Sequence, residues 1–196
     1  ATKLLMERLF ISANFYKGAH KTKFSCVRYG NVMGSRGSVI PIFVEQIKAG
    51  KKVTITDPEM TRFNITMNQA LDLILRVLKN GYGGEVFVPK LRAYKVGDLK
   101  DVLCDLLDSK NGFEKIPIRP GEKFHEILIN EHEIRSTYES NGGDYVIYEN
   151  PIMPQLENSP YTSKTSLNSE YSSNKADLLS KKELKDIIIK ERLATA

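Results

Sequence analysis

Phe24-Ser25-Cys26-Val27-Arg28-Tyr29-Gly30-Asn31-Val32-Met33-Gly34-Ser35-Arg36-Gly37-Ser38-Val39-Ile40 is the stretch on which the fold turns. Phe24 to Tyr29 read as a short apolar strand, and Gly30, Gly34 and Gly37 mark a loop. Val39, Ile40, Phe43, Val44 and Ile47 then recur at the spacing of a helix that Gly50 stops. A strand that empties into a glycine-bearing loop and then a helix is an α/β unit. In open α/β sheets, ligands bind at that carboxyl edge of the strand. The loop suits such a role: its glycines allow close backbone approach, Asn31 offers both donors and acceptors, and the helix start has free N–H groups for an anion. Taken alone it reads equally well as a flexible connection with a satisfied asparagine.

On the N-terminal side, Leu4, Leu5 and Leu9 mark one face of an opening helix across Ala1 to Phe10. On the other side, Val53 to Ile55 form a brief extended segment. Thr66 with Gln69 makes a capping box ahead of a third helix faced by Ala70, Leu71, Ile74, Val77 and Leu78. Glu85 to Val88 read as a buried strand, Leu99, Val102, Leu103, Leu106 and Leu107 as a helix face, and Lys115 to Ile118 as the next strand. Tyr145 to Tyr148 form a last strand. Residues 151–177 carry Pro151, Pro154 and Pro160 among many Ser, Thr and Asn, which predicts an extended polar arm with Tyr161 and Tyr171 pinning it to a surface. Ser180 and Glu183 form a second capping box opening a helix over 178–196, with Leu184, Ile187 and Ile188 inward.

Composition narrows the function. The chain has 196 residues, enough for one or two globular domains with a sizeable core. Its charge of +5 is scattered, which suits a small anionic ligand; no basic motif interleaved with aromatics points to nucleic acid. Cys26 and Cys104 have no zinc spacing and read as buried thiols in a reducing compartment, so no metal site is expected. No apolar run approaches the roughly 18 residues of a membrane span, and a cytoplasmic protein is expected. His20 and His132 lie in polar stretches and read as solvated. His125, in an apolar-flanked run, reads as a structural hydrogen-bonding residue rather than a general base.

Two arginine sites stand out. Thr61-Arg62-Phe63 precedes the capped helix, so Arg62 is expected on a loop where its planar fork suits phosphate oxygens. Arg119-Pro120-Gly121-Glu122-Lys123 follows a strand and joins a fixed proline and a permissive glycine to a hydroxyl acceptor in Glu122. Together the two could clamp a diphosphate and a ribose. A lone arginine more often forms a surface ion pair of little worth.

The ordered set resembles the inverting UDP-N-acetylglucosamine 4,6-dehydratases of the extended short-chain dehydrogenase/reductase family. The resembling residues are Ala1 to Lys3, Arg28 to Pro41, Met60 to Phe63, Gly84 to Pro89, Arg119 to Glu126, and the tail through Tyr171 to Asn174, Leu179, Ser180, Glu183 and Leu184.

The resemblance implies an α/β fold: the C-terminal part of a doubly wound, Rossmann-like parallel sheet over 1–150, interleaved with a smaller substrate-binding lobe. It implies a nicotinamide cofactor, NADP with NAD as the alternative, near Lys3 and Tyr29. Lys3 matches the family's catalytic lysine, whose tyrosine partner lies four residues earlier. That count passes beyond Ala1, so the chain is expected to be a C-terminal fragment, inactive by itself. Asn31, Arg62, Arg119 and Glu122 are assigned to the substrate, UDP-N-acetylglucosamine or a related UDP-sugar, and a homo-oligomer is expected. The implied reaction is dehydration through a 4-keto sugar with inversion at C5, in bacterial polysaccharide synthesis. A UDP-sugar 4-epimerase and a non-catalytic UDP-sugar-binding fragment are the alternatives.

Overall fold

A computed structural model of the chain describes residues 2–149, 161 and 163–194. The elements run α1 (Thr2–Tyr16), β1 (Cys26–Val27), α2 (Val39–Lys48), β2 (Val53–Ile55), β3 (Thr61–Phe63), α3 (Met67–Asn80), β4 (Glu85–Val88), β5 (Ala93–Lys95), α4 (Val96–Leu106), β6 (Phe113–Lys115), β7 (Ile127–Ile129), α5 (Glu131–Ile134), β8 (Thr137–Glu139), β9 (Tyr145–Tyr148), β10 (Ser163–Lys164), β11 (Tyr171–Ser172) and α6 (Lys181–Lys190). The fold is α/β, as expected. Two compact units share it: Ala1–Tyr29, Asn68–Lys90 and Leu128–Tyr171 make the first, and Gly30–Met67, Leu91–Ile127 and Ser172–Ala196 the second.

The first unit is a five-stranded sheet in the order β1-β4-β9-β8-β10. β1 and β4 run parallel, Cys26 opposite Val86, and the remaining pairs are antiparallel. A parallel pair requires a long crossover, and α3 is part of it. α3 packs Leu73 against Phe87, Val146 and Tyr161. Its buried residues are Ala70 and Leu73, whereas Leu71 and Leu78 of the expected face are 49% and 77% exposed. The helix is turned so that Ala70, Leu73 and Val77 look at the sheet. Glu85 is fully buried in β4, and its carboxylate is satisfied by Ser25 Oγ at 2.7 Å, Tyr82 N at 2.6 Å and Gly83 N at 2.7 Å, as a buried charge requires.

α1 departs from expectation. Leu4, Leu5 and Leu9 are exposed and no residue of the helix is buried, because apolar side chains are scattered around it instead of forming one stripe. Its anchor is polar. Arg28, at the end of β1, donates to Glu7 of α1 at 2.6 and 2.9 Å and to Glu133 of α5 at 2.8 and 2.9 Å. A further bond runs to the Leu128 carbonyl at 2.7 Å. Arg8 adds a contact to Glu133 at 3.4 Å and an ion pair with Glu149.

In the second unit, α2, α4 and α6 enclose a core that includes Ile40, Phe43, Val44, Leu99, Val102, Leu103, Leu184 and Ile188. Two strand pairs border it, β2 with β6 in parallel and β3 with β5 antiparallel. α6 opens with the expected capping box, and Ser180 and Glu183 satisfy each other's backbone N–H groups. Two sequence expectations move. Thr61 to Phe63 form a strand rather than a loop, because β5 supplies a ladder partner distant in sequence. The strand expected at 115–118 lies at Phe113–Lys115, in register with Val53 to Ile55.

Of the expected arm, residues 151–160 and 162 lie outside the described residues. Tyr161 is buried, with its hydroxyl 3.3 Å from the Asn80 carbonyl, and Tyr171 packs edge-on to Tyr145. Cys26 and Cys104 are half-buried rather than buried, and desolvation pushes both thiols up.

Candidate functional site

The second unit contains a cavity of about 290 Å³. Asn31, Arg62, Arg119 and Glu122, all singled out from sequence, line it together, with Ser38, Val39 and Ile40 at the start of α2, Thr56 after β2, and Met60 and Tyr94. Lys3 and Tyr29 belong to the first unit and are not among its lining residues.

Local chemistry explains how each side chain arrives. In the loop, Gly34 and Gly37 adopt φ of +71° and +74°, which other residues rarely accept. Met33 N donates to the Ile65 carbonyl at 2.9 Å, stitching the loop to the segment after β3 and leaving Asn31 exposed at the cavity. Ser38 is the N-cap of α2, yet its side chain caps nothing, and its buried Oγ has no partner. The first turn of a ten-residue helix therefore reaches the cavity with uncapped N–H groups.

Arg62 sits mid-strand in β3, where alternation turns it away from buried Thr61 and Phe63 and toward the cavity. Its Nη1 donates to the carbonyls of Thr61 at 2.8 Å and Phe124 at 3.0 Å, and its Nη2 lies 3.8 Å from Glu122. The guanidinium is thus braced by backbone. Arg119 to Glu122 form a tight turn: Glu122 N donates to the Arg119 carbonyl at 2.9 Å, Pro120 fixes the second position, and Gly121 takes φ +82° at the third. The Glu122 carboxylate accepts from Arg119 N at 3.2 Å and from Thr56 Oγ1 at 3.2 and 3.3 Å. Arg119 itself is exposed.

Behind these residues lies a polar brace. His125 Nδ1 is 2.7 Å from Thr61 Oγ1, which is 2.6 Å from Ser173 Oγ, so His125 has the structural hydrogen bond expected of it. His20 and His132 are exposed. The Glu126 carboxylate accepts from Phe63 N at 2.8 Å. Burial pushes it above the usual carboxylate range, opposed by the Phe63 N–H and by the charges of Arg62 and Lys123. Tyr94 was not legible as a site residue. With Thr61 to Phe63 read as a loop, nothing signalled that a strand partner sets Tyr94 directly opposite Arg62.

Residues 1–147 match the family described as polysaccharide biosynthesis protein. The chain is 43% identical over 197 residues to an uncharacterised membrane protein of Methanocaldococcus jannaschii, covering 96% of this chain and 56% of that one. It is 44% identical over 140 residues to an inverting UDP-N-acetylglucosamine 4,6-dehydratase of Campylobacter jejuni, covering 71% and 41%. It is also 44% identical over 133 residues to a UDP-glucose 4-epimerase of Rickettsia massiliae, covering 68% and 39%. The solved structure of Pen from Bacillus thuringiensis superposes with a TM-score of 0.85 at 39% identity, covering 98% of this chain and 57% of that one. The chain therefore spans about half the length of the curated relatives it matches, or less. Among the described residues no helix is long and apolar enough to cross a membrane.

Proposed function

The chain belongs to the polysaccharide biosynthesis protein family, and we propose that its cavity holds the UDP portion of a UDP-sugar, in a protein that carries out 4,6-dehydration of UDP-N-acetylglucosamine. One observation carries the reading: Asn31, Arg62, Arg119 and Glu122 converge on a single cavity. The two guanidinium groups and the start of α2 offer positive charge and N–H donors to a diphosphate. Glu122 is a ribose-hydroxyl acceptor held in place by its own turn, and Asn31 offers an amide to the sugar. The apolar wall of Val39, Ile40, Phe43 and Ile116 suits the face of a base. The printed names of the two curated enzymes support a UDP-sugar as the ligand class.

The reading includes NADP, with NAD as the alternative, to accept hydride from the sugar and return it. Lys3 is exposed on α1 and forms no ion pair among the described residues, so its ammonium is open to a ribose hydroxyl. The half-buried Tyr29 follows β1 in the same unit.

Arg119→Ala tests the clamp cleanly, because an exposed side chain of this kind carries little stability, within about 0.5 kcal/mol. Loss of a charge-assisted contact worth about 1.5–3 kcal/mol predicts UDP binding weaker by roughly tenfold to a hundredfold at an unchanged melting midpoint. Unchanged UDP affinity by calorimetry removes Arg119 from the site. A 4-epimerase is the second reading, favoured by the equal 44% identities to the dehydratase and the epimerase. Incubating the intact protein with UDP-N-acetylglucosamine separates them: a 4-keto-6-deoxy product supports dehydration, and a 4-epimer with no loss of water replaces it.

A further inference from the structure

Arg62 and Tyr94 are directly opposed across the antiparallel β3–β5 pair. Opposed residues project to the same face of a sheet with Cβ atoms roughly 5 Å apart, and both side chains line the cavity. Tyr94 is only 5% exposed. Among the described residues its hydroxyl has no hydrogen-bond partner.

A buried tyrosine normally finds a partner for its O–H, and leaving one unmade costs free energy. A buried tyrosine that lines a ligand cavity opposite an arginine, its hydroxyl without a hydrogen-bond partner among the described residues, is therefore matched to an acceptor that the ligand brings. We propose that Tyr94 contacts the ligand directly, its hydroxyl donating to a non-bridging oxygen of the diphosphate beside Arg62. This rests on the UDP reading of the cavity. Desolvation first, and then the Glu126 carboxylate, push the phenol's ionisation upward against the pull of Arg62, so the group stays protonated and acts as a donor at any working pH. Arg62 and Tyr94 then form a charged and a neutral donor on one oxygen cluster. Because Nη1 of Arg62 is already committed to two backbone carbonyls, the second donor fills a real gap.

The test is Tyr94→Phe in the intact protein, which keeps the ring and removes only the hydroxyl. UDP affinity by calorimetry should fall roughly tenfold to a hundredfold, as for a hydrogen bond to a charged acceptor. Binding of neutral uridine, followed by ligand-observed NMR, should be unchanged. Without ligand, the melting midpoint should stay or rise, because no internal bond is lost. UDP affinity within twofold of the parent overturns the proposal and leaves the hydroxyl to water. Equal weakening of uridine overturns the assignment to the diphosphate, and a lowered midpoint without ligand shows an internal partner instead. If the parent protein itself fails to bind UDP, the UDP reading of the cavity falls, and this assignment with it.

Discussion

Arg28→Met should destabilise the protein more than any surface change, and the deficit should depend on pH. Arg28 makes five hydrogen bonds, two each to Glu7 and Glu133 and one to the Leu128 carbonyl. The side chains it pairs are 12% and 3% exposed. Methionine keeps the stem's length but removes the guanidinium that the two carboxylates share. Removing one partner of a buried ion pair costs about 3–5 kcal/mol. Glu133 retains the Asn130 N–H at 3.1 Å and Arg8 at 3.4 Å, which places the expected loss near the lower figure. Against a typical stability of about 5–15 kcal/mol, that is a large fraction. Urea unfolding followed by far-UV circular dichroism measures it, since the chain has no tryptophan to report.

The pH dependence follows from Glu133. Burial alone would raise its pKa, but the bonds from Arg28 and Asn130 hold it below the usual carboxylate range. In the parent it therefore contributes stability above the unfolded-state value of about 4.3, lost as pH falls through the folded value. In the variant the buried carboxylate loses its main partner and its pKa moves up. Folding then takes up a proton, and the variant regains ground as pH falls from 7 toward 5. The gap between parent and variant should narrow over that interval. A deficit under about 1 kcal/mol at pH 7, or one equal at both pH values, would refute the reasoning. Glu7 lies on the helix that carries Lys3, so the same variant should also loosen the placement of Lys3.

Gly30→Ala should cost about 1–3 kcal/mol through crowding, because a Cβ there would sit 3.1 Å from both Glu126 Oε2 and Phe63 Cβ. A melting curve checks it, and an unchanged midpoint would mean that Glu126 moves aside freely. Ser180→Ala removes an oxygen that accepts from Glu183 N at 3.3 Å and should lower stability by about 1 kcal/mol. The Glu183 carboxylate, held at about 2 by Arg92 first and Ser180 second, should titrate higher in the same variant by NMR while staying low on account of Arg92. A Glu183 titration identical in both proteins would remove Ser180 from that account.

Much of the fold is legible because local signals agree with tertiary packing. In α2 the residues spaced for a helix face, Ile40, Phe43, Val44 and Ile47, are the residues buried. In α6 the capping box and the Leu184 and Ile188 face coincide. Periodicity fails where burial is decided from outside the segment. The apolar residues of α3 offer two overlapping stripes, and the sheet selects Ala70 and Leu73 over Leu71 and Leu78. In α1 no residue of the apolar face is buried, and the helix is held largely by polar groups: Glu7 and Arg8, paired with Arg28, Glu133 and Glu149, and Asn14, bonded to the Phe24 backbone.

The site divides the same way. The turn from Arg119 to Glu122 was legible because proline and glycine encode it. Arg62 stood out by residue type but not in setting: its aim depends on the pleat of β3, which exists only because β5 pairs with it. Tyr94 was hidden for the same reason. Tyr94 belongs to the same core cluster as Met60, Val96 and Leu99. What sets it at the site is one cross-strand register, which places Tyr94 opposite Arg62 on the cavity side of the β3–β5 pair. A site of this kind is a property of strand pairing, and no spacing along the chain encodes it.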